Sequence, residues 1–316
     1  MLAGSWLRHS ALVLLLSLLL LPACREKEQP LPVSLSQRQP VPAATAVDEQ
    51  QTLDVCVGSM ITPLDGYIYY QNLIDYLGQR LGLKVRALDY PSYTEVNQKL
   101  ESGEVELAFV CGGPYVDGQE AFGLQLLVAP EVNGRAEYHS YLIVPADSPA
   151  TTLADLRGKT FAFADPKSNS GFIAPSYELA QMGETPEGFF RSFLFSYAHD
   201  RSIRIVADRL VDGAAVDSLI WDYLVQREPE LLEQVKVIAK SPPFGIPPVV
   251  TSPSMDPKLA EKIREQLLQL LLDPQGQEIL KGMGIDRFVL VDDANYDSIR
   301  QMRRFLAARV GDRKGS

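Results

Sequence analysis

Two kinds of hydrophobic pattern alternate along the chain from residue 53 onward. Short apolar runs typical of strands lie at residues 53–60, 83–89 and 105–110. Between them, residues 67–81 and 94–102 carry apolar side chains at helical spacing. Such an alternation predicts a mostly parallel sheet flanked by helices, which is the α/β class.

The same alternation restarts near residue 159 and predicts a second lobe. The remaining predicted strands are 124–129, 137–144, 161–164, 193–198, 213–216, 235–240 and 248–252, and the helices are 173–182, one from 200, 219–226, 257–272 and 295–308. The chain would cross between the lobes near 141–145 and 240–247. These crossings assign residues 53–143 and 247–310 to lobe 1 and residues 144–246 to lobe 2. We expect a ligand cleft between the lobes, which would close by a hinge motion.

The N-terminal region has the pattern of an exported, lipid-anchored protein. Residues 1–23 carry one basic residue, Arg8, and then an apolar run, which indicates a signal peptide. The run ends in Leu-Pro-Ala-Cys at Cys24 and resembles the bacterial lipobox, whose cysteine is lipid-modified. Because Arg25 rather than Asp follows, the resemblance implies the outer membrane in a bacterium with two membranes. Residues 24–52 are rich in Pro and Gln and predict a flexible tether.

Composition limits the partners and the chemistry. Without the signal segment the chain has 29 basic and 40 acidic residues, a net charge of −11, which argues against nucleic acid as a partner. His139 and His199 are the histidines of the mature chain and show no metal-ligand spacing, so we expect no metal and no cofactor. Cys56 and Cys111 lie in or beside apolar runs, which favours buried free thiols over a disulfide. The chain contains no P-loop, dinucleotide fingerprint or nucleophile elbow.

The segment 165–172 joins a predicted strand to a predicted helix and is rich in polar residues. Unpaired N–H groups in the first turn of a helix favour an anion, and Ser168, Asn169 and Ser170 add side-chain donors. The segment therefore predicts a site for a small oxyanion. The alternative is that Ser168 or Ser170 only caps the helix.

Several motifs together resemble the phosphate-, phosphite- and phosphonate-binding solute receptors of ABC importers. They are Gly58-Ser59 with Pro63, Ala108-Phe109-Val110 before Gly113-Pro114-Tyr115, Asp147-Ser148-Pro149, 153–159, Asp165-Pro166 with Ser168 and Ser170-Gly171, His199-Asp200, and Gly213-Ala214 with Val216-Asp217. The resemblance covers about residues 53–290. It implies a two-lobed, type II-like periplasmic binding protein that is monomeric, is not an enzyme, and has a permease and its ATPase as partners.

The resemblance also implies which residues bind the ligand. In that family a hydroxyl-rich turn, tyrosines from the first lobe and a histidine from the second hold the oxygens on phosphorus. Carried over, these are Ser168, Asn169 and Ser170, then Tyr93 and Tyr115, then His199, with Asp217 as an acceptor for a protonated oxygen or a ligand amine and Ser59 at the end of the first strand. Asn169 stands where the family often has Thr, which leaves the choice of oxyanion open.

Other interpretations of these residues remain. Tyr93 and Tyr115 can be half-buried loop aromatics, and His199 and Asp217 can cap helices. A sensor that presents its ligand to a signalling partner, or a receptor for another small oxyanion, would have the same pattern. An enzyme that uses the cleft is a further alternative, and Cys111 with His199 is its candidate reactive pair.

Overall fold

The computed structural model describes residues 52–58 and 67–314, the side chains of residue 67 and of residues 310–314 excepted. The predicted signal peptide, Cys24, the tether up to residue 51 and Ser59 lie outside the described residues. In the described part, no helix is both long enough and apolar enough to cross a membrane.

The described residues form mixed α/β structure. The strands are β1 (Thr52–Val57), β2 (Lys84–Leu88), β3 (Leu107–Phe109), β4 (Gln125–Glu131), β5 (Glu137–Tyr138), β6 (Ser140–Pro145), β7 (Thr160–Phe163), β8 (Ser192–Phe195), β9 (Gly213–Asp217), β10 (Val235–Lys240), β11 (Phe244–Gly245), β12 (Val249–Thr251) and β13 (Arg287–Val289). The α-helices are α1 (Tyr67–Leu81), α2 (Tyr93–Ser102), α3 (Gly112–Phe122), α4 (Ala174–Gln181), α5 (Pro186–Phe189), α6 (His199–Ala207), α7 (Ser218–Arg227), α8 (Leu231–Gln234), α9 (Pro257–Gln269), α10 (Pro274–Met283) and α11 (Asp297–Lys314). A π-helical turn, Asn169–Ile173, leads into α4, and 3₁₀ turns lie at Leu153–Leu156, Leu270–Leu272 and Asp293–Tyr296.

The first sheet has the strand order β13-β4-β12-β3-β1-β2. Strand β1 pairs in parallel with β2 and β3, as the strand–helix alternation predicts. Strand β12 returns from the second lobe and pairs antiparallel with both β3 and β4. The sheet is therefore mixed rather than mostly parallel, because the chain re-enters it in the opposite direction.

The second sheet has the order β10-β6-β9-β7-β8. Strand β7 is parallel to β8 and β9, whereas β6 is antiparallel to β9 and β10. Strand β6 thus belongs to the second sheet, so the lobe division predicted at residue 143 falls inside a strand. By sheet membership, the chain passes between the sheets at 132–139 and again at 241–248.

The two passages between the sheets are bonded to each other. Strands β5 and β11 form a two-stranded antiparallel ribbon in which Phe244 pairs with Tyr138. The Ser140 N–H donates to the Ser241 hydroxyl over 2.9 Å, and the His139 ring lies 2.8 Å from the Ser241 carbonyl oxygen. This ribbon therefore ties the two passages between the sheets together.

Each sheet is covered on both faces by apolar side chains. One cluster packs α1, α9 and α10 on the first sheet, and a second packs α2, α3 and α11 on its other face. Two further clusters cover the second sheet. Helix α11 also packs against α4 and the π-helical turn, so it contacts both lobes. Cys56 and Cys111 are buried free thiols, which confirms the expectation for both.

Candidate functional site

The polar turn predicted as an oxyanion site follows β7 and is fully buried. Ser168, Asn169 and Ser170 each expose none of their surface. The Ser168 hydroxyl accepts from the Gly171 N–H over 3.0 Å, so Ser168 does cap the helix. A Cβ on Gly171 would lie 2.5 Å from the Ala164 Cβ, which explains why glycine occupies that position. The turn is therefore closely packed as well as polar.

Asp165 fixes this turn to the first lobe. One oxygen of its carboxylate accepts from the Lys167 N–H over 2.7 Å, and the other accepts from the Tyr93 N–H over 3.2 Å. Burial raises the pKa of Asp165, and these N–H donors oppose that shift. Lys167 adds an ion pair to Asp117 of α3 at 2.9 Å. These contacts place the first turn of α2, with the Tyr93 side chain, against the turn of the second lobe.

Four buried polar atoms at this place have no hydrogen-bond partner among the described residues. They are the Tyr93 hydroxyl, the Asn169 Oδ1, the Ser170 hydroxyl and the Asp217 Oδ2. A buried polar group left unpaired costs about 1–3 kcal/mol, so such groups are normally satisfied by a partner. Four of them on residues of one site are groups that a bound polar ligand would satisfy.

Electrostatic interactions and hydrogen bonds place these four groups near one another. The charge of Asp217 acts on the hydroxyls of Tyr93 and Tyr138, and the Tyr138 hydroxyl accepts from the Asn169 Nδ2. Ser140, next to the ribbon, pairs with Asp217 across β6 and β9, and its hydroxyl donates to the Ser170 carbonyl over 2.6 Å. The groups therefore converge from both lobes and from the ribbon between them.

Tyr138 belongs to this group although the sequence did not single it out. Its hydroxyl accepts from the Asn169 Nδ2 over 3.0 Å and lies 3.8 Å from the Cys111 sulfur. Tyr138 stands on β5, where the chain passes between the lobes, and no local motif marks it. The sequence placed it inside the predicted strand 137–144, just before the predicted crossing at 141–145, so no usable signal pointed to it.

His199 orients two site residues through its ring. The Asp217 N–H donates to Nδ1 over 3.1 Å, so the proton of the neutral ring is on Nε2, which lies 3.3 Å from the Ser168 hydroxyl. Burial lowers the pKa of His199 to about 3, so the ring is neutral at physiological pH. The Ser168 oxygen accepts from His199 and from Gly171, and its own proton is then available for a ligand oxygen.

Asp217 is both a helix cap and a site residue. Its Oδ1 accepts from the Leu219 N–H over 2.7 Å at the start of α7, while Oδ2 faces the site. Burial raises the pKa of Asp217 to about 7, against the opposing effect of the Leu219 and Ile220 N–H groups. The carboxyl group can therefore hold a proton near neutral pH, or accept one from a ligand.

A cavity of about 400 Å³ opens next to Asp217 and lies between the lobes. Tyr70 and Phe109 line it from the first lobe, and Asp217 and Tyr223 line it from the second. Burial, with the charges of Asp217 and Tyr223, raises the pKa of Tyr70 to about 12, so its hydroxyl remains a proton donor. Asp217 thus belongs both to the buried polar group and to the wall of this cavity, whereas Tyr93, Asn169 and Ser170 do not line it.

Comparison with known proteins identifies the family. A family model described as the periplasmic substrate-binding protein of ABC phosphonate transporters matches residues 61–296. The chain belongs to this family. This substrate-binding protein is also 28% identical over 232 residues to the phosphonates-binding periplasmic protein of Escherichia coli, a match that covers 72% of this chain and 68% of the relative.

Solved structures show the same fold. A binding protein component of an ABC phosphonate transporter from Pseudomonas aeruginosa superimposes with a TM-score of 0.77 at 23% identity, over 81% of this chain and 87% of that one. PhnD1 from Prochlorococcus marinus, in complex with methylphosphonate, gives a TM-score of 0.74 at 17% identity, over 81% and 98% of the two chains. The two-lobed α/β fold of periplasmic binding proteins is thereby confirmed.

The structure brings together most of the residues predicted for the site of this substrate-binding protein. Six of them lie together: Tyr93, Ser168, Asn169, Ser170, His199 and Asp217. His199 joins the others through its contacts with Ser168 and Asp217. The Tyr115 hydroxyl instead donates to Asp293 over 2.5 Å, and its ring packs on Tyr296, so it is directed away from the group. Ser59 lies outside the described residues and stays a prediction.

The candidate reactive pair of the enzyme alternative is not assembled. The His199 ring contacts Ser168 and Asp217, whereas the side-chain contact of the Cys111 thiol is with Tyr138. Burial raises the pKa of the Cys111 thiol, which disfavours the nucleophilic thiolate. In this geometry both residues serve the packing and orientation of the site.

Proposed function

We propose that this protein captures a phosphorus oxyanion carrying an organic substituent in the cleft between its lobes, and delivers it to an ABC permease and its ATPase. We also propose that the mature chain is a monomer that performs no chemistry on its ligand. It would be held by lipid on Cys24 at the periplasmic face of a membrane, the outer one in a bacterium with two membranes.

The observation that carries this proposal is the set of four buried, unpaired polar atoms. The hydroxyls of Tyr93 and Ser170 can each donate to an oxygen of the ligand. The Asn169 amide adds a third donor in the orientation in which its oxygen accepts from the Tyr138 hydroxyl and its Nδ2 is directed to the ligand. Several donors and one carboxyl group suit an oxyanion that carries a single proton.

Asp217 supports a phosphorus oxyanion over a fully ionised one such as sulfate. At a pKa of about 7 its Oδ2 can accept from a P–O–H group when ionised, or donate to a P–O⁻ when protonated. One proton is then shared between the carboxyl group and the ligand in either case. Sulfate carries no proton at neutral pH, so it suits only the protonated form of Asp217, whereas a phosphonate monoanion suits either form.

The cavity supports an organic substituent on phosphorus. A space of about 400 Å³ beside Asp217 exceeds what phosphate or phosphite needs. Tyr70, Phe109 and Tyr223 offer apolar surface to such a group, and Asp222 adds a second acidic wall. The names of the E. coli relative and of the methylphosphonate complex agree with this ligand class.

A variant series tests the site. Ser170→Ala and Tyr93→Phe each remove one unpaired hydroxyl, and the loss of a hydrogen bond to a charged ligand costs about 1.5–3 kcal/mol, or about 10- to 150-fold in Kd. Ser176→Ala is the matched control, because Ser176 also has a buried, unpaired hydroxyl but lies further along α4. Calorimetric titration with methylphosphonate measures the affinities of wild type and the three variants. Equal affinity in wild type, Ser170→Ala and Tyr93→Phe would refute the assignment.

A further inference from the structure

One arginine bridges the two sides of the cavity. The Arg227 guanidinium lies 4.9 Å from the centre of the Tyr69 ring and 4.5 Å from that of Tyr223. It also donates a hydrogen bond of 2.6 Å to the Tyr69 hydroxyl. Tyr69 belongs to α1 of the first lobe, whereas Tyr223 and Arg227 belong to α7 of the second. The guanidinium therefore holds two rings that come from opposite lobes.

Both tyrosines are placed by their own helices. Tyr223 and Arg227 are four residues apart on α7, the spacing at which helical side chains contact each other. The Tyr69 ring lies against the backbone of α10, since a Cβ on Gly282 would collide with that ring. The guanidinium thus joins two rings, Tyr69 and Tyr223, each of which is also held by contacts of its own helix.

The bridge is connected to the ligand site at both ends. Tyr69 and Tyr223 line the same cavity as Asp217. Asp217 is the N-cap of helix α7, and Arg227 is the last of its ten residues. One helix therefore connects the site residue Asp217 to the bridging Arg227. A ligand that draws Asp217 towards the first lobe also brings Arg227 towards Tyr69.

We propose that Arg227 is a positioning residue that clasps the cleft shut over the part of the ligand that extends beyond the oxyanion pocket. The inference rests on the proposed function, because it assigns the clasp to the same cleft. An interaction that exists only when the lobes are close adds its free energy to the closed state and slows release of the ligand. Arginine suits this role, because its planar group can stack on a ring while its N–H groups donate to a hydroxyl.

The test compares ligand release in matched variants of the mature full-length chain in detergent, with methylphosphonate as probe. Arg227→Ala should release the probe about 3- to 10-fold faster, the size expected for an exposed cation–π contact and its hydrogen bond, with the association rate nearly unchanged. Arg227→Lys keeps the charge without the planar group and should recover only part of the effect. Arg209→Ala, which removes an exposed arginine paired with Asp147, should match wild type and controls for net charge.

Equal release rates in wild type and Arg227→Ala would overturn the clasp. Tyr69→Phe removes only the hydroxyl acceptor and should speed release by a smaller factor, which keeps the test open if Arg227→Ala folds poorly. If wild type binds no phosphorus oxyanion, the proposed function fails separately. Small-angle X-ray scattering of the ligand-free chain then decides, since a larger radius of gyration for Arg227→Ala than for wild type supports the clasp and equal radii overturn it.

Discussion

Asp217→Asn should stabilise the ligand-free protein at neutral and alkaline pH but not at acid pH. Burial raises the pKa of Asp217 from the ordinary 3.8 to about 7, so the folded state holds a proton that the unfolded chain has already released. Between these two pH values the stability of wild type falls as pH rises. The asparagine amide can still accept from the Leu219 N–H through its oxygen, and it never ionises.

The magnitude follows from the size of the pKa change. A rise from 3.8 to about 7 corresponds to at most ~4 kcal/mol against the ionised side chain in the folded state. We therefore expect the difference in unfolding free energy between Asp217→Asn and wild type to be near zero at pH 4. It should grow through the window up to pH 7 and remain constant above it.

Urea unfolding at pH 4.5, 6, 7 and 8 measures this difference, after refolding from denaturant has removed any bound ligand. The matched control is Asp75→Asn, because Asp75 is exposed on α1 and accepts a hydrogen bond from the Gln71 amide in its own helix. That variant should show no comparable dependence on pH. A difference between Asp217→Asn and wild type that stays constant over the whole range would refute the reasoning about the buried carboxyl group.

Two further predictions concern the packing of the turn and the anchor. Gly171→Ala should lower the unfolding free energy by ~1–3 kcal/mol, because its Cβ would lie 2.5 Å from that of Ala164. Gly188→Ala is the control, since its nearest new contact is an ordinary 3.5 Å, and similar urea midpoints for the two variants would contradict the packing account. Cys24→Ser should move the protein from the membrane pellet to the soluble fraction of lysed cells, whereas continued sedimentation would contradict lipid anchoring.

Local patterns predicted most of the elements because each element has its own periodicity. Helix α1 and strand β10 have the bounds that the apolar spacing indicates. Helix α3 was not predicted, because Gly112, Gly113 and Pro114 suggest a loop. These residues instead occupy the first turn of the helix, where a Cβ on Gly113 would collide with the Lys167 carbonyl of the other lobe. That requirement comes from tertiary packing and leaves no trace in the local pattern.

The candidate site was predictable where a local motif carried it and not where the fold assembled it. The turn at Ser168–Ser170 is a contiguous polar segment, so its position was evident, and its role as a helix cap proved compatible with a role in the site. Tyr138 joins the site through the ribbon between the sheets, and Tyr115 is directed to Asp293 instead. Which tyrosines face the cleft depends on the lobe geometry, which no short stretch of sequence determines.

The most direct test of the account is a calorimetric titration of the mature chain with methylphosphonate, 2-aminoethylphosphonate, phosphate, phosphite and sulfate, each added to ligand-free protein. We predict saturable binding of one molecule per chain, tightest for a phosphonate with an organic substituent and clearly weaker for sulfate. Absence of binding to every phosphorus compound, or sulfate binding as tight as the best of them, would contradict the claim that the buried cluster between the lobes is a phosphorus oxyanion site.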